Sequence, residues 1–250
     1  MNVDGPAVEF QSLEHRYDKQ LVLSGIDLVI QRGEIFGFLG HNGAGKTTAV
    51  NILTTLIVPT GGKALVGGFD VAKQRAEVTG LIGYLPSEVR MYPHLTAIEN
   101  LEFFASLSGV DRPHDAAIAT LAFLECSDLG RHRVGTFSSG MRQRVGIAQA
   151  IIHKPTVLLL DEPTAGLDPM GVRQLRETIL RLNTELGMTV FMNTHLLSEV
   201  SKVCTTIGVL SHGKLIYNDS VAATMKRFPD EASLEDIYVR VDPQRVAVER

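Results

Sequence analysis

Three observations predict an α/β protein with a mostly parallel sheet, an N-terminal antiparallel β layer and an inserted helical subdomain. Short apolar runs alternate with helical patterns in most of the chain, which is typical of parallel strands covered by helices. The N-terminal segments alternate apolar and polar residues, and the middle of the chain is mostly helical in pattern. We therefore expect one domain over 1–250, with its core at about 1–86 and 155–227, the helical subdomain at about 87–154 and a C-terminal tail at about 228–250.

The N-terminal elements follow from local patterns. Segments 8–10 and 26–30 alternate apolar and polar side chains and are predicted as half-buried strands. Residues 35–39 are predicted as a short buried strand, followed by a glycine-rich loop. A helix is then expected from about 46 to 56, because the Pro-Thr-Gly-Gly segment 59–62 breaks the pattern.

Three helices are predicted in the helical subdomain, and the last of them begins near Ser138 and extends to about His153. Thr96 and Glu99 match a capping box at the start of the first helix, and Gly109 can end it. The second helix is expected at about 116–126. The apolar residues that recur at helical spacing are expected to face the core: Ile98, Leu101, Ala105, Leu107, Ile118, Leu121 and Leu124.

The α/β pattern returns after Pro155. Strands are predicted at 157–160, 189–193 and 207–210, and the pair Asp168-Pro169 is typical of a helix start. That helix is expected to run to Gly187, with an apolar face made of Val172, Leu175, Ile179, Leu182 and Leu186. The tail is expected to hold one short docked helix around Leu234, Ile237 and Tyr238.

Composition restricts the class of protein. With 24 Lys+Arg and 28 Asp+Glu, the net charge is −4, which argues against a protein that coats nucleic acid, so no nucleic-acid partner is expected. Cys126 and Cys204 form no CxxC pair, and we expect buried thiols in a reducing, cytoplasmic setting. The longest apolar runs, such as 157–160, are far shorter than the ~18–20 residues of a membrane helix, and no signal peptide is expected.

Residues 40–47 match the pattern GxxxxGK[ST] between a predicted strand and a predicted helix. Glycines let backbone amides turn toward a phosphate, and the helix N-terminus carries a partial positive charge. Lys46 is expected to neutralise the β- and γ-phosphates, and the Thr47 hydroxyl to bind Mg²⁺. A plain glycine-rich turn is the alternative, and the strand–loop–helix context favours a phosphate loop. The predicted loop consists of Gly40, His41, Asn42, Gly43, Ala44, Gly45, Lys46 and Thr47.

Two acids end the predicted strand at 157–160. The carboxyl edge of a parallel sheet is where open α/β sheets bind ligands, so Asp161 is expected to hold Mg²⁺ through water. Glu162 is expected to polarise the attacking water. The two acids could instead cap the next helix, but their combination with the phosphate loop predicts a nucleotide site.

Residues 137–144, FSSGMRQR, lie shortly before that strand. The segment resembles the signature, usually LSGGQ, of the ATP-binding subunits of ABC transporters, a P-loop NTPase family, and with the other motifs the resemblance covers nearly the whole chain. It implies ATP and Mg²⁺ as cofactors and a head-to-tail dimer. Ser138 and Gly140 of one subunit, with Ser139 between them, would close over the γ-phosphate held by Lys46 of the other. A plain Ser N-cap beside solvated arginines is the alternative.

The resemblance also assigns roles outside these motifs. Segment 165–168 resembles the loop that links the two composite sites, with Asp168 among the nucleotide-site residues, and Thr48 extends the phosphate loop. His195 matches the switch histidine that contacts the γ-phosphate and orients the catalytic glutamate, although a histidine after a strand is often only a surface or cap residue. Tyr17 matches the aromatic residue that stacks on adenine, and a half-buried strand tyrosine is the alternative.

Three positions depart from the family pattern. Ser87 stands where a glutamine usually meets Mg²⁺ and the lytic water, so its hydroxyl would act through a bridging water, and Glu88 is a further candidate. The signature carries Ser139 for Gly and Met141 for Gln, and His41 stands where Pro is common. These substitutions resemble exporter-type subunits of multidrug, antibiotic-resistance and lipid or polysaccharide exporters.

The resemblance therefore implies an ATPase that powers transport, in the direction of export, by dimer closure. Its partners would be a separate transmembrane permease, docked around 87–101, and a second ATP-binding subunit in a homodimer or a heterodimer. The chain would lie on the cytoplasmic face of the cell membrane through its permease. Two alternatives remain: an ABC ATPase acting on ribosomes or DNA, which the single cassette and acidic balance disfavour, and a regulatory subunit that hardly hydrolyses ATP.

Overall fold

Two β-sheets, nine α-helices and two short 3₁₀ helices (Ser127–Leu129 and Val134–Thr136) form the described part of the computed structural model, residues 5–194 and 196–242. The strands are β1 (Val8–Tyr17), β2 (Gln20–Ile30), β3 (Ile35–Leu39), β4 (Gly61–Val66), β5 (Phe69–Asp70), β6 (Ile82–Leu85), β7 (Val157–Asp161), β8 (Thr189–Asn193), β9 (Thr206–Ser211) and β10 (Lys214–Ser220). The helices are α1 (Lys46–Leu53), α2 (Arg75–Leu81), α3 (Ala97–Leu107), α4 (Pro113–Phe123), α5 (Ser139–Ile151), α6 (Pro169–Leu186), α7 (Leu197–Val203), α8 (Val221–Arg227) and α9 (Leu234–Val241).

The larger sheet has the strand order β10-β9-β3-β8-β7-β6, and all of its pairs are parallel except the edge pair β10–β9. Every residue of β3, β7 and β8 is buried, as expected for parallel strands covered on both faces. Since these strands are parallel, their carboxyl ends meet at one edge of the sheet. Leu39, Asp161 and Asn193 therefore lie along the same edge.

The predicted antiparallel layer is the second sheet, of order β2-β1-β4-β5. In it Val8 lies opposite both Ile30 and Val66. The buried face of this layer packs on α1 and on one side of the parallel sheet, where the rings of Phe36, Phe38 and Phe191 lie 5.3–6.0 Å apart. The mostly parallel core with an N-terminal antiparallel layer is confirmed.

The helical subdomain contains α3, α4 and α5. The capping box is confirmed, because the Glu99 amide donates to Thr96 Oγ1 at 3.2 Å and the Thr96 amide donates to Glu99 Oε2 at 2.7 Å. Gly109 has a φ of +68° just after the helix, and the Val110 amide donates to the Ala105 carbonyl at 3.0 Å. The sequence therefore located both ends of α3.

Some local predictions were wrong. The first helix after the phosphate loop ends at Leu53 rather than near residue 56, since Thr55 adopts a φ of +60°. Helix α4 begins at Pro113 and ends at Phe123, earlier at both ends than expected. Leu107 and Leu186 are 69% and 53% exposed, because each lies in the last turn of its helix.

Ile118 is also exposed, at 46%, against expectation. Its neighbours Ala117, Leu121 and Leu124 form the buried stripe of α4 instead. A residue next to that stripe is turned by about 100° around the helix axis, so it faces away from the core.

The C-terminal tail contains the predicted docked helix, α9. Leu234, Ile237 and Tyr238 are all buried in the same apolar cluster as Val200 and Val203 of α7. Residues 243–250 of the predicted tail lie outside the described residues. Within the described ranges, no helix combines the length and the apolar character that crossing a membrane requires.

Both cysteines are free and buried, as predicted. Burial raises the pKa of the Cys126 thiol to about 11 and that of the Cys204 thiol to about 12. They are therefore protonated, apolar parts of the core at neutral pH.

Candidate functional site

The loop 40–47 joins β3 to α1, and its backbone requires glycine at two positions. Gly45 has a φ of +111°, and a Cβ there would lie 2.7 Å from Leu23 Cδ2 and 2.9 Å from the Val22 carbonyl oxygen. A Cβ at Gly40 would lie 2.4 Å from the Leu210 carbonyl oxygen. The loop is thus pressed against β2 and β9, and only residues without a side chain fit at these contacts.

Lys46 is buried, with 5% of its surface exposed, at the start of α1. Its Nζ donates to the carbonyl of Gly40 at 2.7 Å and to that of His41 at 3.2 Å, so the ammonium spans the loop. The next residue, Thr47, is exposed, and Thr48 is buried. The loop therefore presents a cation, a hydroxyl and the N-terminus of a helix together, which is the chemistry that binds phosphate.

Asp161 and Asn193 lie opposite each other at the ends of β7 and β8. Both residues are buried, with exposed fractions of 5% and 1%. Asn193 Nδ2 donates to Asp161 Oδ1 at 2.5 Å. Burial raises the pKa of the Asp161 carboxyl, and nearby Glu162 adds to this, while the Asn193 hydrogen bond and Lys46 act in the opposite direction. The site therefore contains a buried carboxylate whose charge the protein alone does not fully compensate.

Glu162 follows Asp161 directly, at the same edge of the sheet. Its φ of +48° lies in the left-handed region, which costs a non-glycine residue on the order of 1–2 kcal/mol. Its amide donates to the Asn193 carbonyl at 2.8 Å, and its carbonyl accepts from the Ala165 amide at 3.0 Å. These bonds hold the sharp turn that follows β7.

The structure also shows a tyrosine beside the two acids. Tyr84 of β6 is part-buried, and burial together with the charge of Asp161 raises its pKa to about 12. The phenol is therefore neutral at physiological pH. Sequence reasoning assigned Tyr84 no role, since only the strand order places β6 beside β7.

The signature segment lies at the N-terminus of α5. Ser138 is the N-cap of α5, and its Oγ accepts from the Met141 amide at 3.3 Å. Within this chain the serine therefore acts as a helix cap, the alternative stated for it above. A Cβ on Gly140 would meet only Leu167 Cδ2, at 4.0 Å. The backbone at this helix start is thus accessible to a ligand from outside.

Hydrogen bonds join this helix to the segment 162–168. Ser139 Oγ donates to the Gly166 carbonyl at 2.8 Å, and the buried Gln143 Nε2 donates to the Pro163 carbonyl at 2.6 Å. Asp168 is the N-cap of α6 and accepts from the Gly171 amide at 2.7 Å. Gln143 was missed by sequence reasoning, because nothing in the sequence indicates which carbonyl a buried amide will meet.

The other predicted site residues are more dispersed. Tyr17 ends β1 and is 46% exposed, with the His15 ring edge-on to it at 4.6 Å. Ser87 is exposed in a cleft of about 380 Å³ that Tyr84 and Gln149 also line. Neighbouring Glu88 is paired with Arg90 at 2.9 Å.

Two histidines were also among the predicted residues. His41 Nδ1 lies 2.8 Å from the Asn42 carbonyl, and its ring lies 5.0 Å from that of His212 in the β9–β10 turn. His195 lies outside the described residues. Its predicted role remains an expectation.

The donor set at the sheet edge fits Mg²⁺. The Asp161 carboxylate and the Thr47 hydroxyl are hard oxygen donors, the type that this ion prefers. No group of three or more His, Cys, Asp or Glu residues that could hold a metal exists within 5–194 and 196–242. An ion here would need further oxygens from phosphates and water, which is how Mg²⁺ commonly binds with a nucleotide.

Comparison with known proteins gives a consistent result. The family model for ABC transporters matches residues 23–165. The linearmycin resistance ATP-binding protein LnrL of Bacillus subtilis is 36% identical over 84% of this chain and 68% of its own length. The daunorubicin resistance ATP-binding protein DrrA2 of Streptomyces coeruleorubidus is 40% identical over 87% and 68%, respectively. The bacitracin transport ATP-binding protein BcrA of Bacillus licheniformis is 37% identical over 84% and 68%.

Solved structures agree with these relatives. The structure of an ATP-binding subunit of an ABC transporter superposes with a TM-score of 0.82 at 26% identity, covering 94% of this chain and 99% of that one. The dimeric, post-hydrolysis structure of the ATP-binding cassette MJ0796 bound to ADP and Pi gives a TM-score of 0.76 at 26% identity, covering 86% and 98%.

Proposed function

The chain belongs to the ABC transporter family as an ATP-binding subunit, and from this premise we propose that it hydrolyses ATP to power export through a separate permease. The proposal rests on the phosphate loop and the two acids, which meet at one edge of the parallel sheet. The loop leads into α1, whose first residue is the buried Lys46, and Asp161 ends β7 and is followed by Glu162. A phosphate held by the loop would thus lie near a carboxylate able to polarise water.

Each residue of this edge has a role in the proposal. Lys46 and the backbone of loop 40–47, continued by Thr48, bind the β- and γ-phosphates. Thr47 and Asp161 hold Mg²⁺, with Ser87 reaching it through water, and the ion neutralises phosphate charge when bound. Glu162 accepts the proton of the attacking water, and His195 contacts the γ-phosphate and orients Glu162. Tyr17 stacks on the adenine.

The second half of each site comes from another subunit. The described hydrogen bonds of Ser138 and Ser139 go to Met141 and Gly166, so neither is directed to the phosphate loop of its own chain. The accessible start of α5 is therefore available to the nucleotide of a partner, with Asp168 near the same junction. The dimeric cassette structure among the similar proteins supports assembly as a dimer. The proposed arrangement is a head-to-tail homodimer, and a heterodimer would use the same contacts.

The permease is proposed to dock on the cleft between core and helical subdomain, around 87–101. Beside this cleft Tyr92 and Phe103 are 49% and 40% exposed, and their rings lie 5.1 Å apart. Exposed aromatic residues are typical of interface centres. Docking there would place the chain on the cytoplasmic face of the membrane.

Export of a drug-like cargo is supported by the relatives, whose names refer to linearmycin resistance, daunorubicin resistance and bacitracin transport. Cargo contacts would belong to the permease, so this chain supplies the energy of the cycle. The residues of this chain would bind the nucleotide and not the cargo.

The test is the Glu162→Gln variant. If Glu162 is the general base, hydrolysis should fall by roughly 10²–10⁴-fold, while ATP binding persists. Size-exclusion chromatography with ATP should then show a dimer that ADP does not support. The exposed Glu77→Gln variant is the control. Hydrolysis at the native rate by Glu162→Gln would show that Glu162 is not the general base. The absence of Mg²⁺-dependent ATP binding in the wild type would refute the proposed function.

A further inference from the structure

Asn193 makes the most direct side-chain contact with Asp161 and has no assigned role in the nucleotide site. It ends β8, is 1% exposed, and its Nδ2 donates to Asp161 Oδ1 at 2.5 Å. One oxygen of the carboxylate is therefore engaged by a neutral donor. This bond restricts the orientation of the Asp161 side chain.

The other end of the Asn193 amide is unsatisfied. Its Oδ1 is buried and has no hydrogen-bond partner among the residues that the structure describes. Rotating the amide by 180° would not relieve this, because it would direct Oδ1 at the Asp161 carboxylate and oppose two acceptors. Buried polar atoms in proteins almost always have partners, so an orphaned acceptor indicates a missing donor.

The position of Asn193 shows where that donor would be. Side chains alternate along a strand, so Asn193 shares its side of the sheet with Phe191, and Asp161 shares the same side with Leu159. Phe191 and Leu159 belong to the apolar cluster that contains α1. The orphaned acceptor therefore lies on the side of the sheet from which Lys46 and Thr47 approach.

We propose that Asn193 is a positioning residue of the nucleotide site, with each end of its amide serving the metal ion. Nδ2 orients Asp161, and Oδ1 accepts a hydrogen bond from a water molecule in the hydration shell of Mg²⁺. Magnesium retains several waters when it binds with phosphates, and these waters are donors. Groups that orient ligating side chains in this way commonly change metal affinity by 10–100-fold when removed. The inference rests on the proposed function.

The rival explanation is that Asn193 only stabilises the buried carboxylate of the unliganded fold. The two explanations differ in what a side-chain substitution changes. The backbone carbonyl of Asn193 accepts from the Glu162 amide at 2.8 Å, and a substitution leaves that bond in place. An effect of the side chain can therefore be separated from the turn at Glu162.

The experiment compares Asn193→Leu, which keeps the branched shape and the number of side-chain heavy atoms but removes both polar groups, with Asn193→Ser, which removes Oδ1 and leaves a shorter hydroxyl donor. Thr189→Val is the matched control: Thr189 lies on the same strand, is 2% exposed, and its Oγ1 accepts from the distant Gly33 amide at 2.9 Å. Calorimetry measures ADP affinity with Mg²⁺ and with EDTA. Electron paramagnetic resonance measures Mn²⁺ bound to the ADP-loaded protein, so neither readout depends on turnover.

We expect Asn193→Leu to weaken Mn²⁺ binding roughly tenfold, with ADP affinity in EDTA unchanged. Asn193→Ser should weaken it severalfold, and Thr189→Val not at all. If Asn193→Leu does not fold, Asn193→Ser alone decides the result. Unchanged metal affinity in a folded variant, or an equal loss with and without metal, would overturn the inference. Wild-type protein without metal-dependent ADP binding would instead contradict the proposed function.

Discussion

Single residues at the proposed nucleotide site are held in states that folding alone does not favour. Asp161 is buried with its pKa raised, Glu162 has a positive φ, and Asn193 Oδ1 has no partner in the described part of the chain. All three lie at the carboxyl edge of the parallel sheet. Such unfavourable terms concentrate at functional sites, where a bound ligand compensates for them.

Asp161→Asn should therefore stabilise the nucleotide-free protein at neutral pH while removing its Mg²⁺-dependent nucleotide binding. The native pKa of Asp161 is above its unfolded value, so its contribution to stability is full below the unfolded pKa and is lost as pH rises through the native pKa. Above that window the ionised carboxylate is a net cost that a neutral amide lacks.

The measurement is the thermal midpoint of both proteins without nucleotide, from about pH 4 to pH 8. The advantage of Asp161→Asn should be small at the acidic end and grow with pH. Asp230→Asn, at an exposed position, controls for the general effect of removing a charge. An Asp161→Asn variant that is less stable at every pH would contradict the assignment of burial as the main cause.

Glycine positions in the phosphate loop give a second prediction at this scale. Gly45→Ala should destabilise the protein by more than ~2 kcal/mol and weaken ATP binding. The new Cβ would clash with Leu23 and the Val22 carbonyl, and alanine is strained at a φ of +111°. Gly33→Ala is the matched control, since Gly33 also has a positive φ, +76°, but nothing lies within 4 Å of its Cβ position.

Urea denaturation and ATP titration measure both variants. Gly33→Ala should cost only ~1–2 kcal/mol and leave ATP binding intact. Equal losses in the two variants would show that backbone strain alone, and not the contact with β2, explains the glycine at position 45.

At the scale of secondary-structure elements, α5 and the segment 162–168 form a connected unit. Gln143 donates to the Pro163 carbonyl from a buried position, and Ser139 donates to the Gly166 carbonyl from an exposed one. The start of α5 is thus joined to the turn that carries Glu162. Movement of the signature segment should therefore be transmitted to this turn, where the proposed general base lies.

Gln143→Leu tests this connection. It should destabilise the protein by about 1–3 kcal/mol, because the Pro163 carbonyl loses its donor in a buried place. Gln174→Leu on the exposed side of α6 should change stability by less than about 0.5 kcal/mol.

Urea denaturation gives the stabilities, and steady-state hydrolysis shows whether kcat falls with KM for ATP unchanged. A Gln143→Leu variant with native stability and native kcat would show that the hydrogen bond does not couple the two segments.

The elements themselves were largely predictable, because their signals are local. The capping box of Thr96, the N-cap Asp168 and the terminal Gly109 each act within a few residues, so the sequence alone shows them. The strands β4, β5 and β10 and the short helices α2, α7 and α8 were not assigned. Short elements have weak periodicity, and neighbouring elements decide whether they form.

At the scale of the whole molecule, the exposed aromatic residues beside the cleft should decide assembly with the permease. Phe103→Glu should abolish co-purification with the membrane partner, because a charge would have to lose its water in the interface. Ile118→Glu is the matched control, since Ile118 is a similarly exposed apolar residue of the same subdomain, on α4. It should assemble normally.

Co-purification from membranes and ATP binding by the isolated chain are the two measurements. Both variants should bind ATP like the wild type, as neither residue belongs to the nucleotide site. Normal assembly of Phe103→Glu would move the docking surface away from Phe103.

The sequence by itself determined the longer elements, the phosphate-loop pattern, the two acids and the signature pattern, because each is a contiguous pattern of a few residues. The division into a core with an inserted helical subdomain stays a prediction from the same kind of pattern. The sequence could not show that Gln143 meets Pro163, that Tyr84 lies beside Asp161, or that Asn193 donates a hydrogen bond to that carboxylate. These contacts join residues 20 to 77 positions apart, and only the strand order and the helix packing of the tertiary structure bring them together.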